Sequence, residues 1–130
     1  MEASEHIALV VDDNEINRKL VQHMLRRLGW QTVAADSGLR ALDLLRERVF
    51  DLVLLDLRMP NLSGEQTCRR IRDDLGQTET WTVAYTAHGM PAERARMLAS
   101  GFDDLLIKPV SFDDLRETCA KALAAPVRVK

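Results

Sequence analysis

The sequence predicts an α/β fold in which a parallel five-stranded sheet is covered by helices on both faces. Three observations predict it. Short apolar runs alternate with longer stretches of helical periodicity, five of each in series. The runs are nearly continuous in hydrophobicity, as strands buried on both faces must be. Four of the five runs also finish in a polar residue, which in such sheets is the edge where ligands bind.

The first strand is expected at "IALVV" (7–11), which is short and rich in β-branched residues. "EINRKLVQHMLRRLG" follows as a helix, with Ile16, Leu20, Met24 and Leu28 at helical spacing and Gly29 as its stop. "TVAA" (32–35) is the second strand. "SGLRALDLLRER" places Leu39, Leu42 and Leu45 on one helical face, behind Ser37 as N-cap. The third strand is "LVLL" (52–55), and after Pro60 and Gly64 the stretch "EQTCRRIRDDL" turns Cys68 and Ile71 inward as a helix. "WTVAYT" (81–86) is the fourth strand. Pro91 then opens a helix through "AERARMLASG", which Gly101 closes. "LLI" (105–107) is the fifth strand, and "FDDLRETCAKALA" the last helix, behind Ser111. The expected architecture is the doubly wound, flavodoxin-like one, with strand order 2-1-3-4-5.

A length of 130 residues suits one domain with a real core, spanning 1–130 with its packed part at about 6–124. With 46% hydrophobic and 29% charged residues, the composition is that of an ordinary soluble protein. A net charge of −2 offers no basic field for nucleic acid. No apolar stretch approaches the ~20 residues that cross a bilayer, so no membrane partner is expected. "MEASEH" lacks the basic and apolar regions of a signal peptide, and the expected location is cytoplasmic. Cys68 and Cys119 stand in no metal-binding spacing and read as two reduced, partly buried thiols.

The chemistry is expected where the strands end. The stretch "LLDLRMP" places Asp56 at the end of a buried run, where a carboxylate is costly unless something pairs with it. The first strand ends in Asp12-Asp13, the fourth in Thr86, and the fifth runs into Lys108-Pro109. Taken singly, each has a plain explanation as a cap, a turn former or a solvated lysine. Jointly they converge on one crevice. Two carboxylates about 4 Å apart at an effective dielectric of about 20 repel by about 4 kcal/mol. A hard divalent cation such as Mg²⁺ suits such oxygen donors and completes its shell with waters and phosphate. An acidic pocket with Mg²⁺, a lysine and a hydroxyl has the parts to stabilise a phosphoryl group in transfer, with Asp56 as nucleophile.

"VVDDNEINRKL", "LVLLDLRMPNLSG", "VAYTAHG" and "LLIKPV" together resemble the receiver domain of two-component response regulators, the fold of the chemotaxis regulator, over roughly Ile7 to Leu123. The resemblance implies that Asp56 accepts phosphate from a phosphohistidine on a sensor histidine kinase, forming an acyl phosphate. It implies that Asp13 and Asp56 ligate Mg²⁺ directly, with the Arg58 carbonyl as third protein ligand and Asp12 acting through water. Lys108 would pair with a phosphoryl oxygen, and Thr86 would donate its hydroxyl to another. Lys108-Pro109 matches a position where the family's peptide is cis, and Pro60 and Gly64 would shape the loop after the acceptor. The family usually carries an aromatic three residues before the lysine. Leu105 stands there, so weaker or differently routed output is expected. Arg58 and His88, two residues beyond Asp56 and Thr86, are candidates for tuning phosphoryl lifetime.

Competing readings fit less well. A phosphatase of the dehalogenase type carries a second acid two residues after its nucleophile, where this chain has Arg58. A glycine-rich nucleotide loop is absent, and Asp12-Asp13-Asn14-Glu15 would repel the phosphate of FMN. A degenerate receiver serving only as an interaction module would not keep Asp12, Asp13, Asp56, Thr86 and Lys108 together. The opening "VVDDNEINRKLV" looks like receivers of hybrid sensor kinases, which pass phosphate to a histidine phosphotransfer domain. A free-standing regulator is the other context.

Overall fold

A computed structural model describes residues 6–77, 80–87 and 91–124, the side chains of 91–93 excepted. Strands and helices alternate throughout: β1 (Ile7–Val11), α1 (Glu15–Arg27), β2 (Gln31–Ala35), α2 (Gly38–Glu47), β3 (Leu52–Asp56), α3 (Gly64–Asp73), β4 (Trp81–Thr86), α4 (Pro91–Ala99), β5 (Asp104–Ile107) and α5 (Phe112–Ala124). Every strand pairing is parallel, and the sheet order β2-β1-β3-β4-β5 is the doubly wound order expected. The elements fall within a residue or two of their sequence-based bounds.

Local chemistry explains the helix starts. The side chains of Asn14, Ser37 and Ser63 accept hydrogen bonds from the amides of Asn17, Arg40 and Gln66, satisfying orphan donors of α1, α2 and α3. At Ser63 the Gln66 side chain returns the bond to the cap's own amide, a capping box. Ser111 accepts from the Asp114 amide at 3.0 Å and begins α5 as expected.

The continuous hydrophobicity of the strands is resolved into two cores. Leu9, Val11, Val53 and Leu55 point to one face, against Leu42, Leu45, Ile71 and Met97 of α2, α3 and α4. Ala8, Val10, Leu52, Leu54, Val83 and Tyr85 point to the other, against Val21 and Leu25 of α1 and Leu115 and Cys119 of α5. Cys68 and Cys119 are buried, free thiols.

Two helical faces differ from expectation. In α1 the buried residues are Val21 and Leu25, while Ile16 is 77% and Leu20 47% exposed. Steps of four residues overshoot a helical turn by about 40°, so the stripe from Leu28 back to Ile16 winds out to solvent. In α2, Leu42 and Leu45 are buried but Leu39 is 54% exposed. Steps of three fall short of a turn by about 60°, which rotates Leu39 off the core face.

One polar network locks the sheet edge away from the site. The guanidinium of Arg72 donates to the carbonyls of Gly101, Gln77 and Thr80 and to Asp103 at 3.0 Å. Asp103 also accepts from the Thr82 amide at 2.9 Å, so α3, β4 and the turn before β5 meet on one cation. Both side chains are nearly buried. Arg72→Leu removes the cation paired with Asp103 and a donor to three carbonyls, and is expected to lower unfolding free energy by about 3 kcal/mol, measured by urea denaturation. An unchanged midpoint would show the network to be dispensable.

Candidate functional site

The sheet register delivers the predicted residues to one edge. Val11 lies opposite Leu55 and Asp56 opposite Tyr85, with Thr86 opposite Ile107. Asp12, just past β1, therefore lies beside the end of β3, and Lys108, just past β5, lies at the same edge one strand further on, beyond β4. The Asp12 amide donates to the Ala35 carbonyl at 3.1 Å, and the Lys108 amide to the Thr86 carbonyl at 2.7 Å, carrying the sheet ladder one residue beyond the strands. The Lys108-Pro109 peptide is cis, as the resemblance implies.

Asp12, Asp13 and Asp56 each offer a carboxylate oxygen within 4.8 Å of the others. Among the described residues this is the one such cluster of metal-ligating side chains. Asp12 is fully buried, Asp56 is 5% exposed, and Asp13 faces solvent. Lys108 Nζ stands 3.2 Å from Asp56 Oδ1 and 3.6 Å from Asp12 Oδ2. The Arg58 amide donates to the same Asp56 oxygen at 3.3 Å, while the Arg58 side chain is exposed. Thr86 is buried at the same edge. His88 lies outside the described residues.

The donor set fits a small hard cation. It contains only oxygens, they lie within 4.8 Å of one another, and an exposed member leaves an entry path. Burial is the main influence on Asp56; with the nearby Asp12 charge it raises the carboxyl to about 6, against the opposing pull of Lys108. Lys108 thus offsets only part of what burial and Asp12 impose on Asp56.

The loop after Asp56 is set by close approach. A Cβ at Gly64 would stand 2.4 Å from the Asp56 carbonyl oxygen, so only glycine lets α3 begin against the end of β3. Asn61 holds a left-handed φ of 71° in the same loop, a residue type that tolerates that region. Leu105, at the position where the family usually carries an aromatic, is buried with Met97 and Phe102 in the core.

Tyr85 and Arg18 were not anticipated. The Tyr85 hydroxyl donates to Asp12 Oδ2, and its ring lies 4.7 Å from Lys108 Nζ. Burial first, then the Asp12 hydrogen bond and charge, pushes the phenol far above its ordinary range. Arg18 Nη1 donates to the Asp12 carbonyl at 2.8 Å. A signal for Tyr85 was available: a phenol in a strand buried on both faces must find a partner.

A family model described as the response regulator receiver domain matches residues 8–120. The sensor histidine kinase RcsC of Salmonella typhi is 44% identical over 112 residues, covering 86% of this chain and 12% of its own. The virulence sensor protein BvgS of Bordetella pertussis is 41% identical over 121 residues, covering 89% of this chain and 10% of its own. The chain therefore spans only about a tenth of the length of these relatives. Among solved structures, the chemotaxis protein CheY4 of Vibrio cholerae superposes with a TM-score of 0.84 at 26% identity, covering 90% of this chain and 98% of that one. The signal receiver domain of a signal transduction histidine kinase from Syntrophus aciditrophicus gives 0.84 at 25% identity, covering 96% and 95%.

The raised Asp56 carboxyl has a consequence for stability. A group that holds its proton more tightly folded than unfolded favours the fold below its unfolded value, near 3.8, and that contribution is lost as pH rises through about 6. With a chelator present, Asp56→Asn is expected to be more stable than wild type at pH 8 by about 1–3 kcal/mol. The advantage shrinks toward pH 4. Urea denaturation at both pH values checks this, and parallel pH profiles for the two proteins would refute it.

Proposed function

The chain belongs to the response regulator receiver domain family, and from that premise we propose that it accepts a phosphoryl group from a phosphohistidine onto Asp56. The observation that carries this reading is the meeting of Asp12, Asp13, Asp56 and Lys108 at the carboxyl edge of the sheet.

In this reading an Asp56 carboxylate oxygen attacks phosphorus in line, an O–P bond forms and the P–N bond to the donor imidazole breaks. The product is an acyl phosphate. Lys108, already 3.2 Å from Asp56, pairs with a phosphoryl oxygen as charge moves there. Thr86 gives its hydroxyl to another phosphoryl oxygen. Asp13 and Asp56, with the Arg58 carbonyl, would hold Mg²⁺, and Asp12 would act through water. When bound, Mg²⁺ supplies positive charge that offsets repulsion between the acids and the incoming phosphoryl group. Arg58, exposed beside the acceptor, is a candidate to tune the lifetime of the product; His88 carries the same proposal from sequence alone.

The donor in this reading is a protein: a sensor histidine kinase or a histidine phosphotransfer domain. The exposed Ile16 and Leu20, on the helix that starts beside Asp13, support contact with a macromolecular partner. Relatives that are receiver domains of hybrid sensor kinases favour onward relay to a phosphotransfer domain over a free-standing switch. Such a relay works in the cytoplasm, where the phosphohistidine is made from ATP. Among the described residues no helix is long and apolar enough to cross a membrane.

Incubation with Mg²⁺ and acetyl phosphate, read by intact mass, tests the reaction. Wild type is expected to gain one phosphoryl group, whereas Asp56→Asn and chelated wild type gain none. Lys108→Ala is expected to react at least about tenfold more slowly, from the loss of one charge-stabilising group. Phosphorylation of Asp56→Asn at the wild-type level would end the proposal.

A further inference from the structure

Asp12 is fully buried, and each of its carboxylate oxygens has a partner inside the protein. Oδ1 accepts from the Asn14 amide at 2.9 Å, part of the turn that starts α1. Oδ2 accepts from the Tyr85 hydroxyl, which comes from β4 across the end of β3, and lies 3.6 Å from Lys108. Tyr85 is itself 1% exposed, so the hydroxyl reaches Asp12 from within the core and not from solvent. Phenylalanine would fill the same space and make the same apolar contacts with the α1 and α5 core. The hydroxyl therefore has one evident office, which is Asp12.

We infer that Tyr85 is a positioning residue for the cation site, its hydroxyl fixing the orientation of the Asp12 carboxylate beside Asp13 and Asp56. The inference rests on the proposal that Asp13 and Asp56 hold Mg²⁺ directly and Asp12 through water. A carboxylate with one oxygen on a main-chain amide still pivots about that bond. A second donor from another strand stops the pivot and ties the acid's place to the β4 edge that carries Thr86. Groups that orient metal-binding acids in this way commonly contribute about tenfold or more to affinity.

The experiment uses the whole chain and Mg²⁺ alone. Affinity is measured by isothermal titration calorimetry for wild type and Tyr85→Phe. In parallel, the ring-carbon resonance of Tyr85, the chain's one tyrosine, is followed by NMR through the same titration. Tyr85→Phe is expected to bind Mg²⁺ about tenfold more weakly, and the wild-type resonance to move with the calorimetric midpoint. An affinity indistinguishable from wild type, or a resonance unmoved at saturating Mg²⁺, overturns the inference and leaves the proposed function standing. Wild type that binds no Mg²⁺ overturns both. A hydrogen bond serving folding alone would lower the melting temperature equally with and without Mg²⁺ and leave affinity unchanged. Should Tyr85→Phe fail to fold, the wild-type resonance decides.

Discussion

The Lys108 ammonium, held between Asp56 at 3.2 Å and Asp12 at 3.6 Å, is the interaction on which the rest of this edge depends. Asp12 has no exposed surface and Asp56 almost none, so neither charge can be left to water. Repulsion between them is of order 4 kcal/mol at about 4 Å and an effective dielectric of about 20. One lysine offsets part of it. Burial first, and then the Asp12 charge, keep the Asp56 carboxyl near 6 even with the ammonium beside it. A pocket that retains unbalanced negative charge and an exposed third acid, Asp13, is prepared for a cation.

Lys108 follows β5, whereas Asp12 and Asp13 follow β1 and Asp56 ends β3, and β4 lies between. The contact therefore requires the side chain to pass across the end of β4, over the Tyr85 ring at 4.7 Å. Tyr85 meets both partners of the central interaction, with its ring against the ammonium and its hydroxyl on Asp12. Gly64 secures the other side. Without a Cβ there, α3 starts within van der Waals reach of the Asp56 backbone, and the end of β3 packs directly against it. Site geometry is thus carried by β1, β3, β4 and β5 together, and by no single loop.

Transmission away from the site is a separate matter. Leu105 is a core residue, packed with Met97 and Phe102 on the face that α4 covers. An aliphatic side chain there has no ring to exchange between exposed and buried positions. On the proposed function, output then rests on Thr86 and on the backbone that joins it to Lys108 through a 2.7 Å hydrogen bond.

Periodicity and strand-end residues were enough to read the five strands and the five helices, because hydrophobic pattern determines those, and the flavodoxin-like order assigned to them brought Asp12, Asp13, Asp56, Thr86 and Lys108 to one edge. The burial of particular helical residues was not legible at that level. Ile16, Leu20 and Leu39 sit at helical spacing yet face solvent, since spacing defines a stripe and only packing selects which part of it meets the sheet. The same limit hid Tyr85. Its partner Asp12 is 73 residues away in the chain, and a contact of that separation exists only once two strands have been placed beside a third. Sequence determined which groups arrive at the edge; tertiary structure decided which oxygen each donor holds, because distances of a few ångströms are set by the packing of whole elements.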